Sequence, residues 1–166
     1  MPVEIERKFL VAHDGWRAVA RSRQRLQQGY LSHGSGTTVR IRRAGSAAFL
    51  TVKGAGSVAR AEFEYEIPVS DADTMLADLC RGPLIEKTRH EVCHAGMLWQ
   101  VDEFHGFNEG LVVAEVELHA ADQPVQLPDW VGREVTGDAA YRNSELARRP
   151  RGGRAGPGPM ECAPAR

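Results

Sequence analysis

Cysteine is scarce in this 166-residue chain: Cys80, Cys93 and Cys162 are odd in number and far apart. That spacing excludes a disulfide framework and a Cys-x-x-Cys metal site, and suits a reducing cytoplasm. Net charge is nearly absent, at -1 with 26% charged residues, so no global field calls for nucleic acid or an anionic membrane. No apolar run approaches the ~20 residues that cross a bilayer. The opening MPVEIERKFLV, charged from its fourth residue, lacks the apolar core of a signal sequence. The expectation is a soluble cytoplasmic protein with neither nucleic acid nor membrane as partner. Apolar residues also run out near the end, where RRPRGGRAGPGPMECAPAR has almost nothing to bury. Residues 150–166 are expected to form a disordered tail outside one domain spanning 1–149.

What is present is alternation. VEIERKFLV has the period of a half-buried strand. HDGWRAVARSRQ follows with an Asp cap and Trp16, Val19 and Ala20 at helical spacing, which predicts about three turns of helix. LQQGYLSH, TTVRIRRAG and AFLTVKGAG read as three strands separated by GSG and GS turns. AEFEYEIPV begins a second half, and SDADTMLADLC reads as a helix with Ser or Asp caps. PLIEKTRHEVCH, MLWQVDEF and GLVVAEVELH complete it. Two strand-helix-three-strand halves predict an α+β fold: an eight-stranded antiparallel β-barrel with flanking helices.

Side-chain parity then sorts the charges. Glu4, Glu6 and Lys8 share a face of the first strand, and Arg40 and Arg42 share one of the third. Lys53 lies with Thr51; Glu62, Glu64 and Glu66 line one side of the fifth strand; Lys87, Arg89 and Glu91 group on the sixth. Asp102 comes from the seventh, and Glu115 and Glu117 from the eighth. On periodicity alone two readings stand: polar residues facing water around an apolar interior, or an inverted barrel with apolar residues outward under helices and charges lining a tunnel. Such a tunnel would hold six cations, Lys8, Arg40, Arg42, Lys53, Lys87 and Arg89, facing at least seven carboxylates. Enclosed carboxylates need compensating cations, and hard divalent ions take carboxylate oxygens while leaving places for water and phosphate. Lysines and arginines would grip further phosphate oxygens. The fitting guest is a short polyanion carrying metal, such as a triphosphate.

HEVCH, His90 to His94, spells the H-E-x-x-H zinc-protease signature, which works only on a helix, where i and i+4 share a face. Here it falls in a predicted strand, where four residues span ~13 Å at about 3.3 Å each. Both histidines cannot reach one zinc at that spacing. Parity sends His90 and His94 outward with Thr88 and Val92, and Glu91 inward. The string is expected to be a coincidence.

EIERKFL, with Glu4, Glu6 and Lys8, resembles the E-x-E-x-K signature of the CYTH, or triphosphate tunnel metalloenzyme, family. The resemblance continues in order through QGYLS, TVRIR, LTVKG, EFEYEIP, IEKTRHEV, VDEF, LVVAEVEL, PDWVGREVT and YRNSELA, over about residues 3 to 150. It is strongest to the small bacterial members acting on inorganic tripolyphosphate. It implies a charged eight-stranded tunnel and hydrolysis of tripolyphosphate to pyrophosphate and phosphate with Mg²⁺ or Mn²⁺, as two ions. By motif position it implies Glu4, Glu6, Glu115 and Glu117 as metal carboxylates. Lys8, Arg40, Arg42, Lys53, Lys87 and Arg89 are the implied phosphate clamp, and Glu6, Lys87 and Arg89 the implied catalytic groups. Glu62, Glu64 and Asp102 are tunnel acids without an assigned role. PDWVGREVTGDAAYRNSELA is similar to the family's C-terminal helical region, which packs near the tunnel.

Organic triphosphates remain the alternative on this fold, as substrates of an adenylate cyclase, a thiamine triphosphatase or a nucleoside triphosphatase. A base or thiazolium would want an aromatic shelf, and Tyr30 is the one inward aromatic expected. That favours the inorganic substrate. A non-catalytic polyphosphate binder is a further alternative, disfavoured because an anion receptor gains nothing from acidic pairs.

Overall fold

A computed structural model describes residues 3–32, 36–56 and 59–151. Most of the GSG turn and the tail beyond Arg151 lie outside these. The strands are β1 (Val3–Val11), β2 (Ser22–Ser32), β3 (Thr38–Ala44), β4 (Ala47–Lys53), β5 (Ala59–Glu66), β6 (Ile85–His94), β7 (Met97–His105), β8 (Val112–Glu117) and β9 (Val131–Glu134). The helices are α1 (Val69–Thr74), which runs on into a π-type turn at Met75–Leu79, and α2 (Asn143–Arg148). No helix among the described residues is long and apolar enough to cross a membrane.

Eight strands close a barrel in the order β1-β5-β4-β3-β2-β6-β7-β8, with β8 returning to β1. Every pairing is antiparallel. The order has a pseudo-twofold: exchanging β1–β4 with β5–β8 maps the β1–β5 and β2–β6 seams onto themselves. The repeat of strand, helical turn and three strands is therefore also a repeat in space. The GLVVAEVELH and EFEYEIPV alternations end up one on each side of β1.

The barrel is inverted. Phe9, Trp16, Val92, Trp99, Val101, Ala114, Val116 and Trp130 form one cluster on the outer face, and Ile41 and Ala48 pack outward against Ala72 and Leu76 of the α1 region. Gly29 makes this second packing possible, because a Cβ there would stand 2.7 Å from Cys80 Sγ. A third cluster lies inside. Tyr30, Ile85, Phe104 and Val113 are inward by register and meet Val135, Tyr141, Leu146 and Ala147 from the C-terminal segment. This apolar plug closes one end of the barrel, so the inner face is not wholly charged as the sequence suggested. It leaves a cup rather than an open tunnel.

Three local expectations change. The three-turn helix near Trp16 is only a 3-10 turn over Asp14–Val19, capped by His13, whose Nδ1 accepts from the Gly15 N–H at 3.1 Å. Beyond it, Ser22 to Gln24 pair with Glu91 to Arg89, and ladder formation overrides helical spacing. α1 starts after Pro68 with no side-chain cap, not at a capping Ser or Asp. VGRE, read as part of a helical region, is strand β9, which takes the edge of β1 beyond β5 and clips on through Arg7 to Glu134 at 2.7 Å.

Candidate active site

The cup holds a cavity of about 560 Å³. Along β1, β8, β7 and β6 the inward residues pass from the plug toward the open end. On β8 they run Val113, Glu115, Glu117, and on β7 Phe104, Asp102, Gln100. Tyr141, Asn143 and Ser144 form the floor, and Met97, Leu98, His119 and Gln123 stand at the rim. Register explains the convergence: Lys8 faces Glu115 and Glu6 faces Glu117 across the β1–β8 seam, while Arg40 faces Thr51 and Thr51 faces Glu64 across β3–β4–β5.

Eleven of the thirteen sequence-derived site residues line this cavity, all but Lys87 and Asp102, and they interlock. Lys8 Nζ is 2.9 Å from Glu115 Oε1 and donates to the Tyr141 carbonyl at 3.3 Å. Arg40 donates to Thr51 Oγ1 at 3.0 Å and to Glu64 Oε2 at 3.2 Å, and Arg42 shares that Glu64 oxygen at 3.0 Å. Lys53 Nζ donates to Glu4 Oε2 at 2.9 Å and Glu62 Oε2 at 2.7 Å. Arg89 forks onto Asp102 with two bonds of 2.7 Å and also reaches Glu115 at 3.2 Å. Glu117 is exposed at the end of β8 and lines the open part of the cavity.

Lys87 lies deeper than the other cations. Its Nζ lies 2.6 Å from Asp102 Oδ2 and 3.4 Å from Asn143 Oδ1, with the side chain 1% exposed, and it is not part of the cavity lining. Asp102, 0% exposed, likewise lies beneath the lining and binds both Lys87 and Arg89. It serves as a buried counter-ion that fixes the Arg89 guanidinium, which does face the cavity.

Charge crowding shows in the titration of these groups. Burial, then the neighbouring Glu115 carboxylate, pushes Glu6 above the usual carboxylate range. Burial, then a hydrogen bond with Glu62, does the same to Glu4. At Glu115 burial works the same way, but Lys8, Arg89 and Lys87 outweigh it and hold the group well below the usual range. Burial and the adjacent Arg40 push Arg42 down to about 10. Charge is therefore disfavoured at Glu4, Glu6 and Arg42, first by burial and then by like neighbours.

Those observations bear on the divalent ion that the sequence resemblance implies. The donors are carboxylate oxygens of the hard type that Mg²⁺ and Mn²⁺ prefer, and burial, then neighbouring acids, raise Glu4 and Glu6, a penalty on their charge that a cation relieves. Among the described residues no three His, Cys, Asp or Glu side chains converge on one metal position. Mg²⁺ needs only one or two carboxylates when phosphate oxygens and waters complete its shell, so the residues fit a metal that arrives with a phosphorylated ligand.

Sequence reasoning missed Arg60, whose Nη2 lies 3.2 Å from Glu6 Oε1 and whose Nε lies 3.8 Å from Glu4 Oε2. Its parity with Glu62 and Glu64 is the available signal, hidden because the expected fifth strand, AEFEYEIPV, begins two residues later than β5. Tyr141 and Asn143 were not legible, since they come from a segment without periodicity. HEVCH sits on β6 as expected: His90 stacks edge-on against Trp16 at 4.7 Å and Val92 enters the outer core. Glu91 accepts from Ser22 Oγ at 2.9 Å and does not line the cavity. A zinc-specific chelator is expected to leave turnover unchanged, measured as phosphate release.

Residues 2–149 match the CYTH domain family. An inorganic triphosphatase of Acetivibrio thermocellus is 45% identical over 151 residues, covering 90% of this chain and 96% of that protein. An inorganic triphosphatase of Nitrosomonas europaea is 39% identical, covering 87% and 96%. A solved structure of an inorganic triphosphatase superposes with a TM-score of 0.64 at 36% identity, over 89% of this chain and 95% of that one. A Pyrococcus furiosus protein at 16% identity and TM-score 0.56, over 72% and 80%, shares the fold alone. With its inverted eight-stranded barrel and E-x-E-x-K strand, the chain belongs to the CYTH domain family.

Proposed function

We propose that this protein hydrolyses inorganic triphosphate to pyrophosphate and phosphate with a divalent metal, Mg²⁺ or Mn²⁺. The observation that carries the reading is the cavity wall, where Lys8, Arg40, Arg42, Lys53, Arg60 and Arg89 meet the carboxylates of Glu4, Glu6, Glu115 and Glu117. Two full-length relatives bearing that activity support it. Held by Glu4, Glu6, Glu115 and Glu117, two such ions would neutralise phosphate oxygens and polarise the attacking water. The chain's own part is to bind and orient. Arginine forks from Arg40 and Arg42 grip phosphate oxygens in pairs, and Lys8, Lys53 and Arg89 act as point charges. Arg89, fixed by Asp102, and the cations beside it stabilise charge on the leaving pyrophosphate. A tunnel glutamate accepts the proton of the water. Lys87 acts through Asp102 and not on substrate. A cytoplasmic setting, with a small-molecule substrate as partner, completes the reading.

Tyr30 and Tyr141 line the cavity, but both are largely buried in the plug. They offer no open shelf for a base or thiazolium. Phosphate release from tripolyphosphate, ATP and thiamine triphosphate, each with Mg²⁺ and Mn²⁺, tests this. Tripolyphosphate is expected to be turned over fastest, and a faster organic substrate overturns the inorganic assignment.

Metal binding has a second readout. The folded-state pKa values of Glu4 and Glu6 lie above their unfolded values, so these groups bind protons more readily in the folded state. Their contribution therefore falls as pH rises through the carboxylate range. A metal that neutralises them reverses this loss. Mn²⁺ is expected to raise the melting temperature more at pH 7 than at pH 5, and equal shifts at both would count against carboxylate ligation.

A further inference from the structure

Arg60 differs from the other cavity cations in bridging Glu4 and Glu6; Lys53 also reaches Glu4, but its second partner is Glu62. Lys8 is also bonded to the Tyr141 carbonyl, Arg89 to Asp102, and Arg40 to Thr51. Among the described residues, the ion-pair partners of Arg60 are Glu4 and Glu6 alone. Its register places it there, since Arg60 is the β5 residue directly opposite Glu4 on β1. Its guanidinium thus bridges the two carboxylates of the E-x-E-x-K strand from a position on the cavity wall, with the side chain 21% exposed and room to turn.

Resting on the metal-dependent reading above, we propose that Arg60 is an exchangeable counter-ion. It neutralises Glu4 and Glu6 until a divalent ion takes its place, and the displaced guanidinium then turns onto the incoming triphosphate. The physical reasons are direct. Two enclosed carboxylates without a partner are costly, so an internal cation keeps the empty site folded. A divalent ion bound to the same oxygens repels a guanidinium a few ångströms away, so both cannot hold the pair at once. Once released, a planar fork at the cavity wall suits a terminal phosphate better than a lysine point charge does. Metal and triphosphate then favour each other's binding, because each gains from the same rotation, and the coupling is reciprocal. The exchange also withholds tight metal binding until substrate arrives.

The test uses Mn²⁺ titrations by calorimetry on the full chain, with and without non-hydrolysable imidotriphosphate. In the absence of the analogue, Arg60→Gln is expected to bind Mn²⁺ more tightly than the wild type, by about fivefold or more, the low end of ordinary coupling. The enhancement of Mn²⁺ affinity by imidotriphosphate is expected to shrink in that variant. Unchanged or weaker Mn²⁺ binding by Arg60→Gln overturns the proposal. A measurement on the wild type stands apart from any folding defect: modification of Arg60 by an arginine-specific dicarbonyl, followed by peptide mass spectrometry. Mn²⁺ alone is expected to accelerate it and imidotriphosphate with Mn²⁺ to suppress it; protection by Mn²⁺ alone overturns the exchange. If the wild type binds no Mn²⁺, the metal reading and this inference both fall. If it binds Mn²⁺ but Arg60→Gln behaves identically, only the exchange falls.

Discussion

Glu6→Gln is expected to lower metal-dependent triphosphate hydrolysis by more than about 100-fold, since loss of an outer-shell partner alone typically costs a metal site 10–100-fold. The substitution keeps size and hydrogen-bonding capacity and removes only the charge. Stability should not suffer. The Glu6 carboxylate is disfavoured where it sits, first by burial and then by Glu115, so its removal takes away repulsion. Arg60 Nη2, now 3.2 Å from Oε1, keeps an amide oxygen as acceptor. The metal-free variant is expected to unfold at or above the wild-type temperature, while the Mn²⁺-induced rise in melting temperature largely disappears. Steady-state phosphate release together with thermal unfolding, with and without Mn²⁺, checks both halves. Near-normal turnover in a folded Glu6→Gln protein would remove Glu6 from the metal site.

Asp102→Ala is expected to have the largest effect on stability, about 3–5 kcal/mol, because it strands buried charge. Asp102 is 0% exposed and lies 2.6 Å from Lys87 Nζ and 2.7 Å from two Arg89 nitrogens. Lys87 cannot reach water by a simple rotation, as it is itself fully enclosed, whereas Arg89 faces the cavity. The loss is read as a lower urea midpoint at unchanged slope. Removing the partner as well, in Asp102→Ala with Lys87→Met, should recover part of it, since an empty apolar pair avoids the uncompensated ammonium. Turnover also falls in the single variant because Arg89 loses the fork that aims it. The pH dependence has a definite sign. Burial opposes ionisation of Asp102, but Arg89 and Lys87 outweigh it and hold its pKa below the unfolded value. Its stabilisation is present above the unfolded pKa and lost as pH falls through the folded one. Lys87 is pushed down by burial to about 8, below its unfolded value, so its ammonium costs stability at neutral pH. That cost fades as pH rises through 8.

The strand-bearing part of the site was legible because parity is a local property. Glu4, Glu6 and Lys8 must share a face of any strand, as must Arg40 with Arg42 and Glu115 with Glu117. Parity also disposed of HEVCH, since His90 and His94 cannot meet on an extended chain. It could not give the depth of Lys87, because a residue can face inward without reaching the cavity. The depth at which it sits depends on the plug, and the plug depends on Val135, Tyr141, Leu146 and Ala147, none of which shows a strand or helix period.

By itself the sequence determined the strand faces, the inverted arrangement once its family resemblance was included, and the pool of charges available for chemistry. It did so because alternation and spacing are set residue by residue along each strand. Tertiary structure alone decided which charges meet. Burial of Asp102 made Lys87 a support and Arg89 a cavity group, and the β1–β5 seam brought Arg60 onto Glu4 and Glu6. The reason is that these pairings join residues on different strands, 15 positions apart for Lys87 and Asp102 and 54 for Arg60 and Glu6, and their energies depend on enclosure and distance, which no local pattern encodes.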